Sequence, residues 1–238
     1  MRVVVLMPVY NDPESLSATL EAIARSCTIH FRISVYLVDD GSEPPIKRAE
    51  LPPDSDTFEI TLARHLANLG QGAALETARR LALEHEPPDM FVTMDSDGQH
   101  DPRDLPALCS AIEGGADVAF GNRFAGASNV PFLRKLVLRL ASTFEKALTG
   151  LQLEDAHNGF RAFGPRAMSL ISMTQPRMAH ATEIKQAVAR VQPPLVIREV
   201  PVSIRYTADS LRRGQSSLGS IQILVDLAYQ FLFKEMRR

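Results

Sequence analysis

Apolar residues fall in short unbroken blocks along the first half of the chain, and amphipathic stretches separate them. Residues 3–7 (Val-Val-Val-Leu-Met) form a β-branched block that stops at Pro8. Residues 33–38 and 90–94 form similar blocks, stopped by Asp39 and Asp95. Blocks without alternation predict strands buried on both faces, as in a parallel sheet. Residues 13–25 place Leu16, Leu20 and Ile23 on one helical face. Asn11 or Asp12 is positioned to cap that helix, with Pro13 in its first turn. Residues 58–63 alternate as a third strand, and 70–85 form a helix rich in Ala and Leu that Pro87-Pro88 stops. A helix over 105–112 and a fifth strand over 117–120 follow. The second half reads as a helix over 132–148, a loop around Asn158-Gly159-Phe160-Arg161, a helix over 181–191, a strand over 196–204 and a polar loop over 206–217. Repeated β-α-β units with short connections predict an α/β fold, an open and mostly parallel sheet with helices on both faces, Rossmann-like in layout.

No internal repeat or linker interrupts this pattern. It predicts one domain over 1–217, followed by an amphipathic C-terminal helix over 218–238. In that tail Gln222, Asp226 and Gln230 recur every four residues and form one polar stripe. Its wide apolar face and the basic residues Lys234, Arg237 and Arg238 allow two readings. The helix packs on the core or on a second copy as a homodimer contact, or it lies on an anionic membrane surface. The N-terminal apolar run is too short for a signal peptide, and no stretch reaches the roughly 18 apolar residues of a membrane span. The expected location is cytoplasmic, peripheral on the membrane if the tail is interfacial. Among 238 residues, 26 Lys+Arg face 28 Asp+Glu, which gives a formal charge of −2 and argues against nucleic acid as a partner. Cys27 and Cys109 match no zinc or redox spacing and point to a reducing compartment.

Chemistry concentrates where strands end, the rim at which open α/β sheets bind ligands. Asp95 and Asp97 are spaced to converge on one hard divalent cation, Mg²⁺ or Mn²⁺, that bridges a diphosphate. Asp39-Asp40-Gly41-Ser42 ends the second strand and offers carboxylates to a ribose or a base. Asn68-Leu69-Gly70-Gln71-Gly72 opens a helix, and its glycines read as a tight helix entry. It lacks the Lys and Ser/Thr of an ATP-binding phosphate loop. Arg123, Arg134, Lys135 and Arg139 form one basic stretch. Arg205, Arg212 and Arg213 form another, beside Gly214-Gln215-Ser216-Ser217. The histidines at 65, 85, 100, 157 and 180 show no metal spacing and read as surface or structural residues.

Five ordered elements together carry a resemblance. They are Pro8-Val9-Tyr10-Asn11, Asp39-Asp40-Gly41-Ser42, Asn68-Leu69-Gly70-Gln71-Gly72, Asp95-Ser96-Asp97-Gly98-Gln99-His100 and Asn158-Gly159-Phe160-Arg161. The chain resembles family-2 glycosyltransferases of the GT-A fold, and within them the dolichyl-phosphate mannose synthase and polyprenyl-phosphate glycosyltransferase branch. The resemblance implies that Asp95 and Asp97, with Gln99 nearby, hold the metal on the diphosphate of a UDP- or GDP-linked sugar. It implies a nucleoside pocket of Pro8, Tyr10, Asp12, Val38 and Asp40 with Asp39 beside it, and phosphate contacts from Arg123 and Arg134. It also implies a nucleotide-binding half at 1–122 and an acceptor-side half at 123–217. The family's late Gly-x-Ser-Lys element departs here: Ser217 stands for the lysine, and Leu211 stands for an earlier arginine that Arg212 or Arg213 replaces. The Gln-x-x-Arg-Trp element of processive relatives is missing, and the chain has no tryptophan.

The implied reaction is inverting transfer of the sugar to a polyprenyl phosphate, which is ionised at neutral pH and needs no strong base. Transfer to a saccharide or small-molecule hydroxyl is the alternative; it requires a general base, for which Asp155 is the candidate. Asp97, Arg123 and Asp155 are thus the expected catalytic groups. A sugar-nucleotide nucleotidyltransferase and a non-catalytic sugar-nucleotide-binding relative are the remaining alternatives.

Overall fold

A computed structural model describes residues 1–26, 31–85, 88–126, 130, 132–177 and 179–205. Its centre is a seven-stranded sheet in the order β3-β2-β1-β4-β6-β5-β7. The strands are β1 (Arg2–Val9), β2 (Arg32–Asp39), β3 (Phe58–Arg64), β4 (Met90–Thr93), β5 (Val118–Asn122), β6 (Arg161–Phe163) and β7 (Ile197–Pro201). The helices are α1 (Pro13–Ser26), α2 (Gln71–Glu84), α3 (Leu105–Glu113), α4 (Phe132–Thr149), α5 (Pro165–Met168) and α6 (His180–Arg190).

The unbroken apolar blocks become strands covered on both sides. Val3, Val5, Met7 and Val9 of β1 pack in one core with Leu16, Leu20 and Ile23 of α1 and Leu105 and Leu108 of α3. Val4 and Leu6 face the other core, built with Ala74, Leu75 and Ala78 of α2 and Ile184 and Val188 of α6. Each buried Val or Leu removes apolar surface worth roughly 1.5–3 kcal/mol, so β1 anchors both layers. Cys109 is buried in the first core, and burial pushes its thiol up to about 12. Cys27 lies outside the described residues.

β1 pairs in parallel with β2 on one side and β4 on the other. The chain therefore builds outward to β3, then crosses back over β1 to β4, and this reversal creates a crevice at the carboxyl ends of β1 and β4. One strand departs from the sequence expectation. β6 is inserted antiparallel between β4 and β5, where the pattern predicts a loop. Three residues are too few for any periodicity. β7 is also shorter than the predicted 196–204. Val202 N–H still donates to Asn122 O at 3.1 Å just past its end, and Ile204 makes an isolated bridge to His100. The division at 217/218, the loop 206–217 and the C-terminal tail lie outside the described residues. Among the described residues, no helix is long and apolar enough to cross a membrane.

Candidate active site

The register pairs Val9 with Asp39 and Leu6 with Thr93, so β1, β2 and β4 end side by side. A cleft of about 480 Å³ opens along this rim, lined by Pro8, Val9, Tyr10, Asp40, Asn68, Gly70, Gln71, Asp95, Ser96, Asp97 and Arg177. Its size suits a small-molecule ligand. The cleft brings together five of the residues singled out in the sequence: Pro8, Tyr10, Asp40, Asp95 and Asp97. Asp40 and Asp95 follow strands two positions apart, roughly 10 Å at the usual strand spacing.

Val38 and Asp39 sit beneath the rim, both fully buried. The Asp39 carboxylate accepts from Ser42 N–H at 2.8 Å, Ile46 N–H at 3.2 Å and Arg64 Nε at 3.2 Å. Burial pushes its carboxyl up, but these hydrogen bonds and the Arg64 charge outweigh it and hold the value down. Asp39 is thus committed to holding its own loop. Asp12 caps α1 through a 3.4 Å bond from Ser15 N–H. Asp40 accepts from Leu69 N–H at 3.0 Å and Gly70 N–H at 2.7 Å, and it meets His65 Nδ1 at 2.7 Å. It thereby ties the end of β2 to the start of α2. Gly70 has φ +104°, a conformation that favours glycine. This entry aims the next residue, Gln71, at the carboxylate pair, and Gln71 Nε2 lies 2.7 Å from Asp95 Oδ1.

Asp97 accepts from Gln99 twice, from N–H at 3.0 Å and from Nε2 at 2.7 Å. Behind Asp95, the buried His100 ring stacks on Phe160 with centroids 5.1 Å apart. Asp95 N–H donates to His100 Nδ1 at 3.2 Å, so the neutral ring carries its proton on Nε2, 3.9 Å from Asp95 Oδ2. Burial lowers His100 to about 4, which keeps it neutral. Burial raises the carboxyls of both aspartates, and the Asp95 charge raises Asp97 further. A β-carbon on Gly159 would come within 2.9 Å of Asp95 Oδ2, so glycine there preserves room for the carboxylate.

These oxygen donors fit a hard divalent cation. Among the described residues no group of three or more His, Cys, Asp or Glu side chains is arranged around one point. Two carboxylates with the remaining positions left to phosphate and water is a common Mg²⁺ arrangement. Two crowded carboxylates whose carboxyls are pushed up gain from such an ion.

On the far side of Asp95, Arg123 follows β5 and Asp155 meets it underneath. Asp155 Oδ2 accepts from Arg123 N–H at 2.9 Å and from Arg123 Nε at 2.6 Å. Only 1% of the Asp155 side chain is exposed, and its Oδ1 is buried without a hydrogen-bond partner among the described residues. Asp155, the candidate base for a hydroxyl acceptor, is thus paired with Arg123, which it orients, and is almost fully buried. The 155–158 loop is braced in turn by α4 and α6. Lys185 Nζ lies 2.9 Å from Glu145 Oε2 and donates to Ala156 O at 2.9 Å. Arg161 is buried, with its Nε on Asn158 O at 2.7 Å, and its charge acts on Asp95. Arg134 falls in α4, but its side chain lies outside those described. Arg212 and Arg213 lie outside the described residues.

Gln71, Asn68 and Ser96 belong to motifs visible in the sequence, although none was expected to line a site. Arg177 carries no signal at all: it is a lone arginine between helices, and only tertiary packing brings it to the cleft.

The family model described as glycosyl transferase family 2 matches residues 4–169. The undecaprenyl-phosphate mannosyltransferase of Micrococcus luteus is 29% identical over 213 residues, covering 85% of this chain and 83% of that protein. The polyprenol monophosphomannose synthase of Mycolicibacterium smegmatis is 27% identical over 179 residues, covering 73% of this chain and 65% of that protein. A glucosyl-3-phosphoglycerate synthase from Mycobacterium tuberculosis, solved with Mn²⁺, UDP-glucose and phosphoglyceric acid, superposes with a TM-score of 0.60 at 16% identity. The match covers 95% of this chain and 79% of that one, and it establishes a shared fold.

Proposed function

Because the chain belongs to glycosyl transferase family 2, we propose that it moves a sugar from a nucleoside diphosphate to a polyprenyl phosphate with inversion at the anomeric carbon. One observation carries this reading: carboxylates from the ends of β2 and β4 line a single cleft with Tyr10. The half-exposed Tyr10 ring offers a stacking face for a base, with Asp40 and Asn68 beside it. Asp95 and Asp97 would hold a Mg²⁺ or Mn²⁺ ion, which as a Lewis acid stabilises the leaving diphosphate. Gln71, Gln99 and the neutral His100 keep the two carboxylates oriented.

In the transfer an acceptor oxygen bonds to the anomeric carbon while the bond from that carbon to the diphosphate oxygen breaks, and the nucleoside diphosphate leaves. The family resemblance assigns the acceptor phosphate to Arg123. That guanidinium is 8% exposed and is held by Asp155 and by His157 O at 3.0 Å, so the part of it that a ligand meets has a fixed orientation. A hydroxyl acceptor would need a base, and Asp155 is closed to it. The relatives named for undecaprenyl-phosphate and polyprenol transfer support the same acceptor class.

The test is product analysis. Purified protein, Mn²⁺, radiolabelled UDP- and GDP-sugars and undecaprenyl phosphate should yield an organic-phase, phosphodiester-linked sugar. Label transferred only to saccharide acceptors, or no transfer from any donor, would refute the proposal.

A further inference from the structure

Among the described residues, four charged side chains line the cleft: Asp40, Asp95, Asp97 and Arg177. Each carboxylate already has protein partners, as described above. The Arg177 guanidinium has none; it makes no hydrogen bond or ion pair with any described residue. A cation that shares a cleft with three carboxylates and pairs with none remains available to a ligand.

The segment that presents it is firmly held. Met173 N–H donates to Glu76 Oε2 at 3.0 Å, and Thr174 and Gln175 N–H donate to Glu183 Oε2 at 2.9 and 3.0 Å. Pro176 O accepts from Ala73 N–H at 3.0 Å, and Arg177 O accepts from His180 Nδ1 at 2.7 Å. The α2 entry is cut to fit this segment. A β-carbon on Gly70 would lie 2.5 Å from Pro176 O, and one on Gly72 would lie 2.1 Å from Gln175 O. These two glycines therefore let residues 175–177 pack directly on the start of α2, with the Arg177 stem against Gly70. The backbone is fixed, while the guanidinium is unspent among the described residues.

Charge balance indicates what it meets. A divalent ion on Asp95 and Asp97 brings that pair to neutrality, and a donor diphosphate then adds about two negative charges. Arg177 is the one cation among the described residues that line the cleft, and a guanidinium matches phosphate oxygens in a bidentate fork. We infer that Arg177 is a donor-binding residue that contacts the diphosphate from the α2 side of the cleft. The inference rests on the nucleoside-diphosphate reading above.

The test uses calorimetric titration of the full chain in MnCl₂ with UDP, GDP, inorganic pyrophosphate, uridine and guanosine. Wild type should bind pyrophosphate and at least one nucleoside diphosphate. Arg177→Ala should weaken both by about ten- to a hundredfold and leave the nucleosides unaffected. Its Tm should move by no more than about 2 °C, since the side chain is exposed and has no partner among the described residues. Arg177→Lys should recover only part of the loss, because a point charge replaces the fork. Wild-type-like binding of pyrophosphate and nucleoside diphosphate by Arg177→Ala overturns the assignment, and so does a loss confined to the nucleosides. A wild-type protein that binds neither pyrophosphate nor either diphosphate overturns the donor reading and the assignment with it.

Discussion

Replacing Glu76 with glutamine removes one negative charge from the point where α2 meets the segment carrying Arg177. The Glu76 side chain is 9% exposed and accepts from Arg79 Nε and Nη2 at 2.9 Å, Arg80 Nε at 2.8 Å and Met173 N–H at 3.0 Å. Burial alone would raise its carboxyl, but these partners outweigh burial and lower it from the ordinary 4.5 to about 2. The folded state therefore holds the ionised form more tightly than the unfolded chain does. The resulting stabilisation is complete above pH 4.5 and is lost as pH falls toward 2. A gap of about 2.5 pH units at about 1.36 kcal/mol each sets an upper bound of about 3 kcal/mol. Arg80 is 71% exposed, so solvent screens its share and about 2 kcal/mol is the working value. Urea unfolding at pH 7 should find Glu76→Gln less stable than wild type by about that much. At pH 3.5 the difference should shrink by about 1 kcal/mol, because wild type has begun to lose what the variant lacks. A difference that is constant or larger at pH 3.5 would refute the linkage.

Gly159→Ala should leave the sheet intact but crowd Asp95, lowering Mn²⁺ and nucleotide affinity at least about tenfold, about 1.4 kcal/mol, in calorimetric titration. Unchanged affinity would mean that the close approach of Gly159 and Asp95 is irrelevant to binding. Lys185→Met strands the buried Glu145 carboxylate and should cost about 3–5 kcal/mol in thermal or urea unfolding. Adding Glu145→Gln should restore part of that loss; a double variant no better than the single one would argue that the pair is not the source.

The parts of the fold that could be read from the chain are those with enough residues to repeat a pattern. β1, β2 and β4 show as apolar blocks because both of their faces are covered. α1 and α2 show through their apolar faces, and the Asp-rich strand ends mark the rim. β6 was invisible, since three residues have no period and its antiparallel direction depends on two distant neighbours. At the site, the sequence identifies residue types but not their commitments. Asp39 and Asp40 look equivalent in Asp39-Asp40-Gly41-Ser42, yet one is consumed by its own loop and the other lines the cleft. Asp155 resembles a free base until Arg123 is seen against it. Arg177 depends on Gly70 and Gly72 admitting a segment roughly a hundred residues downstream, a relation that no local pattern encodes.

The most direct test of the carboxylate rim is a titration of nucleoside diphosphate into wild type and Asp97→Ala, each with Mn²⁺ and again with EDTA. Wild type should bind tightly only with the ion present, and Asp97→Ala should lose at least about tenfold of that ion-dependent affinity while its unliganded Tm stays close to wild type. Binding that is equal in EDTA, or undiminished in Asp97→Ala, would contradict the account.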